Sequence, residues 1–129
     1  MKIHVETIPH HEQRYPTVGD YWAEGDVLQV RITEMRDWRY VMLVAVHELV
    51  ESMLTRYRGI SEETIGSFDM AFEEKREHGL VRGEPGDAPD APYRREHFFA
   101  TNLERLLAAE LGVDWLVYET YVDSLGVKP

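Results

Sequence analysis

The chain has 129 residues, no cysteine and a formal charge of −10, which suits one domain of ordinary size and excludes disulfides and thiolate-held metal. Its 43% apolar content excludes a largely disordered chain. The acidic surface repels nucleic-acid phosphates, and no apolar run is long enough to span a bilayer. A cytoplasmic protein with no nucleic-acid or membrane partner is therefore expected, folded as one domain over residues 1–129.

The first third reads as β. From Lys2 to Ile8 the chain alternates, with Ile3, Val5 and Thr7 on one face and His4, Glu6 and Ile8 on the other. The N-terminus lacks the apolar core of a signal peptide. Gly19–Trp22 and Val27–Thr33 flank a turn at Glu24-Gly25-Asp26 and predict a hairpin. Two to three strands are expected in all.

The remainder reads as about four helices. Asp37 caps a helix from Trp38 to about Arg58, with Gly59 after its end. Ser61 caps a second helix that closes at Gly79. Residues 83–92 are too rich in Pro and Gly for regular structure. Asp90 is positioned to cap a third helix reaching Leu111, and Asp114 a short fourth with Trp115, Tyr118, Val122 and Leu125 on one stripe. Strands followed by helices give an α+β fold.

From Tyr40 to Leu54 apolar residues surround the first two turns, which predicts a central, buried helix. Besides Tyr40, its ionisable groups are His47, Glu48 and Glu51, packed into little more than one turn. Burying unpaired charge costs several kcal/mol, so something must compensate them, and a divalent cation does so well. Positions i and i+4 share a helical face, so His47 and Glu51 project together while Glu48 points about 100° away, able to reach a water beside the metal. The competing reading leaves Glu48 and Glu51 solvated and His47 as a hydrogen-bonded core residue.

The segment His47-Glu48-Leu49-Val50-Glu51 resembles the His-Glu-x-x-His helix of zincin metalloproteases, with Glu51 in place of the second His. A carboxylate is an accepted zinc ligand, although it makes a coordinated water less acidic. The same five residues are similar to those of small phage-associated proteins of unassigned function. The zincin resemblance implies Zn2+ (or another divalent ion) held by His47 and Glu51, Glu48 as general base, strands ahead of the active-site helix, and a peptide or small amide as substrate.

A catalytic zinc site wants a third protein ligand. His97, near the start of the third helix with Phe98 and Phe99 expected to anchor it in the core, is the leading candidate. Asp69, set among Phe68, Met70 and Phe72, is the second, as ligand or as the group orienting a metal-bound His. Glu104, at i+7 from His97, is a weaker one. Glu84, Asp87 and Asp90 carry oxygens for a hard cation but lack EF-hand spacing. His10 and His11 read as solvated loop residues, and His78 as a helix C-terminal cation. Tyr93 and Arg94 are the available oxyanion-stabilising groups.

The expectation is a zinc-dependent hydrolase of minimal zincin type, with little surface left for a long substrate cleft. Two alternatives stand beside it. One is a non-catalytic, metal-stabilised acidic interaction protein. The other is a Mg2+-dependent nucleotide pyrophosphatase, disfavoured because Gly66-Ser67-Phe68-Asp69 lacks the first acid of the required Glu-x-x-Asp pair.

Overall fold

A computed structural model describes residues 1–126. Three strands, β1 (Lys2–Ile8), β2 (Gly19–Glu24) and β3 (Val27–Thr33), precede four helices, α1 (Trp38–Tyr57), α2 (Glu62–Glu77), α3 (Arg94–Glu110) and α4 (Trp115–Gly126). The fold is α+β.

The sheet order is β1-β3-β2, with β1 parallel and β2 antiparallel to β3. The β2–β3 hairpin closes through Gly25 and Asp26, and Gly25 has φ of 60°. Glycine at the first of two turn residues satisfies the left-handed conformation that a tight hairpin requires. Between β1 and β2 the chain crosses β3, making a short 3-10 turn at His10–Glu12. That crossing is not simply solvated: His10 Nδ1 bonds Thr33 Oγ1 at 2.9 Å, and buried Gln13 donates to the same hydroxyl.

Alternation along the strands gives the sheet one packed face. Val30 and Ile32 are almost fully buried against Leu43 and Val44 of α1. The pairs Gly19↔Ile32 and Tyr21↔Val30 set Gly19 and Tyr21 on that same face. This places the start of β2 directly beneath the middle of α1.

Helix α1 begins where expected, the Asp37 carboxylate accepting from the Arg39 amide. It is central but not fully buried, since Trp38, Met42, Met53 and Tyr57 remain exposed. Its second neighbour is α3. Helix α3 starts at Arg94, after Tyr93, rather than at Asp90, because residues 85–87 form another short 3-10 turn and residues 88–93 continue as turns. Phe98 and Phe99 do not anchor α3 in the core: they are 37% and 50% exposed. The inward face of α3 instead carries Glu96, His97, Ala100, Glu104 and Ala108, a mixed polar stripe. Asp114 does cap α4, accepting from the Val117 amide at 3.0 Å.

Candidate metal centre

The polar stripe of α3 meets that of α1, and the two complete each other. His47 Nε2 lies 3.0 Å from Glu51 Oε2, one helical turn on. His97 Nδ1 lies 3.0 Å from the same oxygen. The two imidazole centroids are 4.8 Å apart. His47, Glu51 and His97 are all buried, and each offers a ligand atom within 4.8 Å of the others'. These buried groups can hold a metal ion.

The outward nitrogens are equally well held. His47 Nδ1 bonds Glu104 Oε1 at 2.8 Å, and Glu104 Oε2 accepts the Tyr118 hydroxyl from α4. His97 Nε2 bonds Asp87 Oδ1 at 3.0 Å. A carboxylate on the far nitrogen fixes ring orientation and raises ligand basicity, the usual outer arrangement of metal-binding histidines. Tyr21, from β2, donates to Glu51 Oε1 at 2.9 Å. That bond occupies one carboxylate oxygen and leaves Oε2 facing both histidines. Each imidazole is thus bracketed by two acids, one of them Glu51.

The charges follow from this bracketing. Burial disfavours a cationic His47, yet the bonds to Glu104 and Glu51 override it and raise its pKa well above the ordinary range. For His97, burial is likewise overridden by Asp87 and Glu51, giving a value of about 10. Burial works against the Glu51 carboxylate, but both histidines hold its pKa down at about 2. Both imidazoles are thus biased toward their cationic forms, and a metal would compete with their inward protons.

Glu48 stands beside this group in a different environment. Burial first, and then the nearby Glu51, push its pKa well above the carboxylate range, with His47 opposing. Among the described residues no side chain hydrogen-bonds its carboxyl group. It has room only because residue 19 is glycine: a Cβ there would meet Glu48 Oε1 at 2.6 Å and Val44 at 2.7 Å. Gly86 does the same for His97, since a Cβ would fall 2.5 Å from its ring. Two backbone segments thus press against the site without side chains.

The other sequence candidates fall around this centre. Asp69 is not in either metal-ready group among the described residues; it accepts the Tyr93 hydroxyl at 2.6 Å. Burial raises its pKa to about 6 despite that bond. Tyr93 therefore lines the site with its hydroxyl engaged, and Arg94 lies over the Phe98 ring. Glu84 and Asp87 converge on the outer nitrogen of His97 and form a second potential cation group with it, at the solvent edge. His78 bonds the Glu74 carbonyl at the end of α2, as the helix-terminal reading implies.

Four contributors were not singled out as site residues in the sequence: Tyr21, Tyr118, Gly19 and Gly86. The β-alternation that puts Tyr21 opposite Val30 was a usable signal for the first. Tyr118 was read as part of an apolar stripe, and nothing local marked its hydroxyl. The site opens into a cleft of about 1160 Å3 between residues 14–22, α2, the 83–87 segment and α3. That space is larger than the chain length led one to expect.

No protein-family model, curated protein or solved structure matches this chain.

Proposed function

We propose that the chain is a zinc-dependent hydrolase acting on a peptide or small amide bond. His47 Nε2, Glu51 Oε2 and His97 Nδ1 serve as the ligands. The donor set is two imidazoles and one carboxylate, a combination used at catalytic zinc sites that keep a fourth position open. One observation carries the reading: both imidazoles aim one nitrogen at Glu51 Oε2 while a carboxylate holds the other nitrogen of each ring. Such pairing of inner and outer partners is what a metal-ligating histidine needs.

A divalent ion held there supplies Lewis acidity toward a substrate carbonyl and toward water. Glu48 supplies the base. Among the described residues no side chain hydrogen-bonds its carboxyl group, so it is free to take a proton from water and pass it to the leaving group. The divalent charge beside it would offset the burial and the Glu51 charge that favour its neutral form. Tyr21 keeps Glu51 oriented, and the cleft gives an extended substrate access to Glu48.

A non-catalytic role is the second reading, favoured by the way the three ligands bridge α1 and α3: an ion there would clamp the two helices. The two readings part at Glu48. Purified protein should carry about one zinc per chain, measured by plasma mass spectrometry, and His47→Ala should abolish it. With Glu48→Gln, retained zinc and lost hydrolysis of amide substrates support the enzyme. Retained zinc with no hydrolysis by the unsubstituted protein across a peptide library supports the clamp. Unchanged metal content in His47→Ala sinks both.

A further inference from the structure

Among the described residues, helix α1 is only partly covered. Trp38, Met42, Met53 and Tyr57 are 66%, 49%, 63% and 84% exposed, and Leu49 lies half-buried between them. At about 100° per residue these five fall in one stripe roughly 100° wide. The sheet beside this stripe is bare too. The register Ile3↔Leu28, Val5↔Val30 and Thr7↔Ile32 puts Ile3, Val5 and Thr7 on the face that Leu28, Val30 and Ile32 turn toward the core. Because α1 packs over β2 and β3, Ile3 and Val5 remain 56% and 43% exposed. A contact from Arg56 of α1 to Met1 shows that the stripe and the uncovered strand adjoin.

Among the described residues the molecule thus carries, side by side, an apolar helix stripe without a cover and an apolar strip of sheet without a helix. We infer that two copies of the chain associate through this face as a two-fold dimer, α1 of each copy lying over β1 of the other. A two-fold contact is self-complementary, so each copy supplies the helix that its partner's sheet lacks. The area is adequate. At roughly 200 Å2 for a fully exposed residue, the exposed fractions of Met1, Ile3, Val5, Trp38, Met42, Met53 and Tyr57 come to roughly 900 Å2 per copy when wholly covered, against about 800 Å2 per partner in a standard interface.

Charge points the same way. A chain of net charge −10 repels its own copies over most of its surface. The apolar side chains that make up this face carry no charge, and its border holds Arg56 and the Met1 amino group paired with Asp26. The contact leaves the metal centre free, because His47 and Glu51 point toward α3 and Glu48 toward Gly19. The dimer therefore stands or falls independently of the proposed hydrolase.

Sedimentation equilibrium of the full chain tests the inference. A mass of twice 15.1 kDa is expected in the micromolar range. Val5→Glu and Met53→Glu should each raise the dissociation constant at least about tenfold, since each places two charges in the interface. Zinc content should stay near that of the unsubstituted protein, and so should the melting temperature when compared at concentrations where both are monomeric. Leu116→Glu, at an equally exposed apolar position on α4, should leave the dimer intact. As a check that disturbs little, Met53→Cys in this cysteine-free chain should react with a maleimide more slowly as protein concentration rises. A monomer throughout the micromolar range overturns the inference. So does a dimer unmoved by both glutamate variants or broken by Leu116→Glu, and so does a concentration-independent labelling rate.

Discussion

Helix α1 meets the sheet and α3 through opposite kinds of chemistry. Against the sheet it offers Leu43 and Val44 to Val30 and Ile32, a dry contact driven by burying apolar surface. Against α3 it offers His47 and Glu51 to His97 and Glu104, a buried array of charges that bond one another. The apolar contact gains its energy from dehydration and depends little on pH. The charged one must first overcome the cost of dehydrating ions, so it returns little net stability, while losing any one member leaves the others uncompensated. A helix with one face for holding the fold and another for holding charge has the division of labour that a metal centre requires.

The sharpest test is to damage each contact in turn. Glu51→Ala should cost the most, roughly 3–5 kcal/mol, because it removes the anion shared by two buried imidazoles. Leu43, fully buried, should cost roughly 2–5 kcal/mol when cut to Ala, by lost transfer energy and the cavity left behind. Saturating zinc separates the two. Binding to the native state alone stabilises it, so Leu43→Ala should regain stability on adding zinc as the unsubstituted protein does, and Glu51→Ala should not. Equal zinc responses in chemical denaturation would erase the distinction between the two faces.

The same contrast governs what was legible in the sequence. Period-2 alternation in β1 and β3, the Gly-Asp turn and the Asp37 and Ser61 caps are local signals, and those elements fell where local signals placed them. The i, i+4 pair His47 and Glu51 was equally local. His97 could be nominated by type, but its approach to Glu51 is made by α3 folding back on α1, 46 residues apart in sequence. Glu104 was grouped with His97 only as a weaker ligand candidate, and Phe98 and Phe99 were read as core. The inverse arose because α3 turns its polar stripe to the charged face of α1. An amphipathic pattern gives the stripe; which side is inside depends on the partner.

Two glycines sharpen the picture by separating ligand from base. Gly86→Ala would force a Cβ to 2.5 Å from the pinned ring of His97, and Gly19→Ala would bring one to 2.6 Å from Glu48 Oε1. Each should cost roughly 1–3 kcal/mol through overpacking. Their consequences should differ: Gly86→Ala weakens zinc affinity by displacing a ligand, whereas Gly19→Ala keeps zinc and lowers turnover by displacing Glu48. Isothermal titration with zinc beside amide-hydrolysis rates reads both. Normal zinc affinity in Gly86→Ala would remove His97 from the ligand set.

The smallest expected effect lies at the cleft wall, at Asp69. Burial raises its pKa from an ordinary 3.8 to about 6, opposed by the Tyr93 hydroxyl and His97 and assisted by Glu51 and Asp20. A carboxyl with a raised folded-state pKa binds its proton more tightly in the folded than in the unfolded chain. Its ionisation therefore costs nothing below pH 3.8, costs progressively more as the pH climbs to about 6, and stays at its full cost above that. Discounted for the solvent that still reaches the group, that cost is about 1–2 kcal/mol. Asn keeps the shape and can still accept from Tyr93, so Asp69→Asn should stabilise the protein by about that much at pH 7.5 and by nothing near pH 4. Urea denaturation at the two pH values measures the difference. A gain of equal size at both would mean that shape, not charge, sets the energy of this wall, and Asp69 would then belong with the apolar side of the comparison.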